Sequence, residues 1–255
     1  MDQIGALRRS RGTFMAFMAS YRPLRILLRF LLLVLVSIAV FGAFWFGLVP
    51  NSLSPFPRIS LETRPGIFVD ARLSALRFDP ELCRSVLKEP QITARPIPDR
   101  PIENGCGWEN AVRFSNVGGA QLSVGQITCE MAAAVALWVE HEVQPLAREM
   151  FGQPVARINN MGTYGCRNIV GNPMWKGVRS QHATANALDI GGFTLADGRT
   201  ISLVRDWTGK GRDSQFLREV HRRSCRYFRV SLGPEFNVAH KDHFHFDRGI
   251  MWTCR

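Results

Sequence analysis

From Phe30 to Val49 the chain reads FLLLVLVSIAVFGAFWFGLV, without a single charge. At about 1.5 Å per residue that run matches the thickness of a bilayer's hydrocarbon core, and an ordinary core helix is shorter and rarely apolar on every face. Other absences narrow the chain further. No CxxC pair occurs, which argues against the common cysteine zinc motifs. No Lys/Arg block follows Pro50, so the pI of about 10.1 alone gives nucleic-acid binding no support. No internal repeat and no low-complexity tract is present, which sets solenoids aside.

Acids are nearly missing before the apolar run. Arg8, Arg9, Arg11, Arg22, Arg25 and Arg29 stand there against Asp2, so this segment holds about +5 of the formal +11. Basic flanks stay on the cytoplasmic side. The expectation is an inner-membrane, single-pass protein with a cytoplasmic N-terminus and a periplasmic C-terminal domain. A cleaved signal peptide is the rival reading; the run is long for a signal core, and no small-x-small cleavage site follows it. The expected segments are a basic stretch over 1–29, an anchor over 30–49, a linker over 50–75 containing the proline-rich PNSLSPFPRISLETRPG, and one domain over 76–255.

All six cysteines, Cys83, Cys106, Cys129, Cys166, Cys225 and Cys254, fall in that last segment. An even count in an oxidising compartment reads as up to three disulfides, and six cysteines allow about 15 pairings. Cys225 with Cys254 is the one pairing singled out, since it ties the last residues down.

Within 76–255 the spacing predicts weak helix over 74–87 and a surface loop over 94–107. Strands are predicted near 111–114, 121–124 and 155–159. The clearest helix covers 129–150, capped by Thr128, with Met131, Ala134, Leu137, Trp138 and Val143 as an apolar stripe and Pro145 dividing it. Asp197-Gly198 marks a hairpin, a second helix opens at Asp213 or Ser214, and strands are expected over 228–232 and 243–246. Strands and hairpins mixed with two helices give α+β, an antiparallel sheet core with flanking helices.

Four of the six histidines lie in two short stretches, His182 in SQHATANALDI and His240, His243 and His245 in HKDHFHFD. Asp189 projects from a strand-like run while His182 reaches the same point from the loop before it. His243 and His245, two apart on a strand, share a face. One His, one Asp and one more His form a three-ligand zinc set with a fourth position open for water, which is the catalytic arrangement. Asp242 and Asp247 stand beside the imidazoles, either orienting them or simply solvated. His141, alone on its helix, reads as a surface or packed residue.

The spacing SxHxxxxAxD, as Ser180, His182, Ala187 and Asp189, followed by HxxHxH, as His240, His243 and His245, resembles the LAS-type zinc peptidases, in its ending most of all the penicillin-insensitive murein endopeptidases. Residues from about 80 to 254 further resemble the bacterial extensin-like C-terminal domain family through GTYGCR, SQHATANALDIGGF, DGRTIS and GPEFNVAHKDHFHFD. The resemblance implies a LAS-peptidase-like fold and a membrane-anchored zinc hydrolase acting on peptidoglycan peptide stems. His182, Asp189 and His245 would be its ligands, His243 its catalytic histidine and His240 a supporting one. The alternative, with His243 as ligand and His245 as helper, stays open at this point. Arg167, Ser180 and Tyr164 are the substrate-side residues: Arg167 for a carboxylate, Ser180 to steady the loop, Tyr164 either as an oxyanion donor or as packing. No ExxH glutamate precedes the last histidine, which favours a histidine-assisted mechanism. Ala185 stands where the LAS pattern usually has glycine, so a positive φ there would be strained. The other functional class is a wall-binding module on the same fold that does not turn over.

Overall fold

The structure, a computed structural model, describes residues 22–49, 59–66, 68–87, 91–171 and 173–255. The chain divides into two compact units after Arg58. The first contains helix α1, Arg22–Trp45, which is long and apolar enough to cross a membrane, a test that a signal sequence near an N-terminus also passes. Its 24 residues begin eight earlier than the uncharged run and take in Arg22, Arg25 and Arg29. It ends before Val49, where the chain turns at Gly47 with φ 67°. The first 21 residues of the basic stretch and the first nine of the expected linker lie outside the described residues.

The second unit begins well before residue 76. Ile59 and Leu61 are buried, and helix α2, Val69–Phe78, buries Val69, Leu73 and Leu76. What reads as the end of a linker is therefore part of the domain. Asp79 caps the short α3, Pro80–Val86, by accepting from the Leu82 N–H. The proline-punctuated stretch after it is not a plain loop. It supplies β1, Ile92–Pro96, and a two-stranded ribbon of β2, Arg100–Glu103, with β3, Cys106–Trp108.

A long hairpin follows, β4, Ala111–Val117, with β5, Ala120–Thr128. Thr128 caps α4, Cys129–Trp138, as expected, its Oγ1 accepting from the Met131 N–H. The expected stripe proves too narrow, because every residue of α4 is buried between β4 and β5 on one side and α2 and α3 on the other. The expected helix is divided ahead of Pro145. A π-helical turn, Val139–Val143, precedes it, with the Gln144 N–H reaching Val139 O, and α5, Gln144–Phe151, restarts with the proline in its first turn. Proline has no N–H to donate to the preceding turn, so the ladder takes up one extra residue there.

This helical segment is the crossover from β5 to β6, Val155–Gly162, which run parallel. Beyond it come β7, Ala187–Leu195, β8, Thr200–Ser202, the single turn α6, Leu203–Asp206, and α7, Arg212–Ser224. α7 starts at Gly211 instead of being capped by Asp213 or Ser214; the Ser214 hydroxyl is buried and donates to Trp207 O. The sheet closes with β9, Val230–Leu232, β10, Phe244–Asp247, and β11, Thr253–Cys254. Its order is β1-β4-β5-β6-β7-β10-β9-β11, with β8 alongside β7. The pairing is antiparallel except at β5–β6 and β9–β11. The fold is thus α+β on a sheet core.

Three disulfides join Cys83 to Cys129, Cys106 to Cys166 and, as expected, Cys225 to Cys254. The core centres on Trp138, whose ring meets Phe193, Phe228 and Phe246 and whose Nε1–H donates to Val220 O. Below it Arg248 is fully buried, which is tolerable only because Glu130 and Asp70 both pair with it at 2.7 and 2.9 Å.

His221 on α7 stacks on Phe244 with ring centroids 5.0 Å apart, and its Nε2 has no hydrogen-bond partner among the described residues. Burial lowers its pKa to about 4, against smaller raising effects from the Ser231 backbone and Glu235. The folded state therefore binds fewer protons than the unfolded one between about pH 6.5 and 4. Its stability contribution is complete above the unfolded value and lost as pH falls through that window, in total on the order of 3 kcal/mol. Denaturant unfolding from pH 7.5 to 4 should show a decline that His221→Phe flattens by that amount; equal slopes in both proteins would contradict the assignment.

Candidate functional site

Sheet register builds the centre of the site. β7 and β10 pair so that His245 lies directly opposite Asp189. Leu188, Ile190, Phe244 and Phe246 are completely buried, which leaves Asp189 and His245 on the other face of the two strands. His182 arrives from a 3-10 turn, Gln181–Thr184, that leads into β7. Ser180 caps this turn, its Oγ accepting from the His182 N–H at 3.3 Å. The turn ends at Ala185, in the left-handed conformation with φ 52° and ψ 26° and fully buried. The sequence pattern's usual glycine thus corresponds to a true positive-φ position, which alanine occupies at a cost of roughly 1–2 kcal/mol.

Three side chains converge. His182 Nε2 lies 3.2 Å from His245 Nδ1 and 3.1 Å from Asp189 Oδ2, and His245 Nδ1 lies 2.9 Å from Asp189 Oδ1. The outer ring nitrogens set the tautomers. His182 Nδ1–H donates to Thr163 O at 3.2 Å, and His245 Nε2–H donates to Asp247 Oδ2 at 3.0 Å. With both outward nitrogens protonated, an inward nitrogen presents a lone pair if its ring is neutral and a donor if its ring carries a second proton. A cation between them satisfies the neutral form. Tetrahedral zinc with bonds of roughly 2.0–2.1 Å sets its ligand atoms about 3.3 Å apart, close to the separations seen. His182, Asp189 and His245 form the one group of such residues, among those described, that could hold a metal ion. The donor set therefore fits zinc.

Electrostatics point the same way. Burial works to raise the Asp189 carboxyl, but hydrogen bonds from His182 and His245 outweigh it and hold the group well below the usual carboxylate range. At His245, burial opposes the charged ring, yet Asp189 and Asp247 raise its pKa to about 9. The centre stabilises positive charge, as a proton or as a metal ion.

His243 stands just before β10 instead of on it. Its Nδ1–H donates to Asp242 at 2.8 Å, and its Nε2 is 3.7 Å from Asp189 Oδ1, at the edge of the centre. Of the two assignments open from spacing, the geometry places His245 inside the cluster and His243 beside it. His240 lies one shell further out, its ring 5.3 Å from that of His243 and 5.7 Å from that of His245. Asn237 Oδ1 accepts from its Nδ1–H at 2.7 Å, leaving Nε2 as an acceptor. Burial, and then the nearby His245 and His243, push His240 down to about 4.

His240, His243 and His245 line a cleft of about 620 Å³, and His182 and Asp189 lie behind them. Arg167 and Ser180 line it, whereas Tyr164 does not. The Tyr164 ring packs edge-on against Trp108 at 4.9 Å, with Arg100 over both, so its reading as an oxyanion donor gives way to packing. Arg167 is brought to the rim because its carbonyl accepts from Ser180 N–H, while the adjacent Cys166 is tied to Cys106. Thr163 and Asn237 are contributors that spacing did not reveal: one acts through a backbone carbonyl, the other through an amide that neighbours histidine only after the turn closes. His141 is not part of the site; its Nε2 contacts Leu61 O.

Fold and site together define an α+β, disulfide-stapled domain with a buried His/Asp/His centre that meets an open cleft at His245. The chain belongs to the extensin-like protein C-terminus family, whose model matches residues 81–255. No curated protein and no solved structure matches it.

Ala185 yields a direct test. Ala185→Gly removes the left-handed strain but restores about 0.5–1 kcal/mol of unfolded-state freedom, so stability should stay within about 1 kcal/mol of the parent. Ala185→Val, β-branched at positive φ in a filled site, should lose about 2 kcal/mol or more. Equal melting temperatures for the two variants would show that the position is not constrained as described.

Proposed function

We propose that the domain is a zinc-dependent hydrolase that cleaves peptide bonds in the stems of peptidoglycan. It would be held at the inner membrane by α1, with the N-terminus cytoplasmic and the domain periplasmic. The observation that carries the reading is the convergence of His182 Nε2, His245 Nδ1 and the Asp189 carboxylate within 3.2 Å of one another, beside a cleft that His245 lines. The HxxHxH and SxHxxxxAxD spacings extend it to a likeness with LAS-type zinc peptidases.

His182, Asp189 and His245 would hold the ion, which when bound supplies a Lewis acid for the substrate carbonyl and lowers the pKa of water towards about 7. The chain's own residues do the rest. Asp242 fixes the His243 tautomer, so its Nε2 lone pair faces the centre and can take the proton of the attacking water. Once protonated, the same nitrogen can donate to the developing oxyanion or pass the proton to the leaving amine. His240 offers Nε2 as a further acceptor behind it, with Asn237 holding the ring. At the rim, the Arg167 guanidinium suits a stem-peptide carboxylate, and Ser180 positions His182. Ala185 adopts the backbone that glycine would, so the departure at that position leaves the centre intact.

A wall-binding module without turnover is the second reading, favoured by the exposed apolar side chains of Ile250, Met251 and Trp252 along the cleft, which would retain a ligand whether or not it reacts.

The purified chain should carry about one zinc per molecule. Competition with a chelator should show Asp247→Asn weakening zinc by about 10–100-fold through loss of the partner that orients His245. Affinity equal to the parent would remove His245 from the ligand set. Incubated with cross-linked muropeptides, the zinc-loaded chain should create new peptide termini detectable by mass spectrometry. His243→Gln should keep the zinc and lose about 10²–10⁴ in rate. Tight binding with no cleavage of any stem would establish the binding module instead.

A further inference from the structure

A second cleft, of about 380 Å³, is lined by four arginines, Arg64, Arg222, Arg223 and Arg226, and by Glu142. Glu142 sits on the π-helical turn, buried, where it accepts from Arg64 and from the Tyr227 hydroxyl at 2.8 Å. Glu219 takes Arg222 and Arg223 on the rim. Two carboxylates thus face four guanidiniums, an excess of two positive charges around one small cavity. Every guanidinium offers five N–H groups. Among the described residues, the hydrogen bonds of Arg64 and Arg226 each use one nitrogen, and those of Arg222 use Nε and Nη2. Converging arginines of this kind suit a phosphate, whose oxygens accept several charge-assisted bonds at once.

The cleft's position in the chain says which phosphate. Arg64 belongs to the segment through which the domain is entered from α1, nineteen residues after Trp45, a stretch that spans at most about 65 Å. That segment is fastened at the cleft itself: Arg226 donates to Pro65 O and Gly66 O, and His141 contacts Leu61 O. If α1 spans a bilayer, headgroups of the leaflet it leaves are the anions held at the highest local concentration.

We propose that this arginine cleft binds the phosphodiester of an anionic phospholipid headgroup and so seats the tethered domain on the membrane surface from which it emerges. This site is independent of the histidine centre and of its chemistry.

The test uses the full chain in an uncharged detergent, with phosphorus NMR titration of three probes: short-chain phosphatidylglycerol, short-chain phosphatidylcholine and inorganic phosphate. Phosphatidylglycerol should bind at least tenfold more tightly than either of the others. Arg222→Gln, on an exposed side chain whose partner Glu219 keeps Arg223, should weaken it at least tenfold with an unchanged melting curve. Arg113→Gln, an exposed arginine on β4, should have no effect. Equal binding of inorganic phosphate would make this a free-anion site and overturn the lipid assignment. Equal binding of phosphatidylcholine would reduce it to partitioning along α1. Identical behaviour of the two arginine variants would show that the cleft is not the site.

Discussion

The pairing of β7 with β10 in one register is the constraint on which the rest depends. It sets Asp189 against His245 and, on the opposite face, sends Leu188, Ile190, Phe244 and Phe246 into the core beside Trp138. Because side chains alternate along a strand, a slip of one residue in either strand would break the Asp189–His245 pairing and turn a polar side chain into the apolar core. Core packing and site assembly are therefore the same event. Arg248, locked between Glu130 and Asp70 immediately after β10, ends that strand in a buried ionic network and reinforces the register.

Around this pair the chain surrounds each imidazole with one outward acceptor. Thr163 O serves His182, Asp247 serves His245, Asp242 serves His243 and Asn237 serves His240. Each bond chooses a tautomer, and each choice turns the other nitrogen towards the centre or the cleft. The result is a set of inward ring nitrogens around one carboxylate, an arrangement that stabilises positive charge as a proton or as a metal ion. Disulfides steady the framework: Cys106–Cys166 beside the loop carrying Arg167, Cys225–Cys254 beneath the wall carrying Trp252.

Much of the site was legible in the sequence because its signals are local. His182 and Asp189 sit seven positions apart around one turn and one strand, and His243 and His245 differ by two. The αL requirement at Ala185 was visible as a glycine position filled by alanine. What was not legible depends on long-range contacts or on backbone atoms. A carbonyl such as Thr163 O leaves no compositional trace, and the start of the domain at Ile59 depends on burial of Ile59 and Leu61 against elements far along the chain. That Pro145 interrupts the helix was legible, but the π turn by which it does so was not, because proline's missing donor permits several local outcomes. Likewise α4 looked amphipathic, although its alanines are small enough to be buried on every side.

In the proposed site, His182 Nε2, Asp189 and His245 Nδ1 hold one zinc ion, with His243 beside it and not in its coordination shell. Anomalous diffraction at the zinc edge from crystals of the zinc-loaded chain tests this most directly. A single peak is expected roughly 2.0–2.1 Å from those three side chains, with His243 Nε2 outside bonding distance. No peak at the cluster, or a peak bonded to His243 in place of His245, would contradict it.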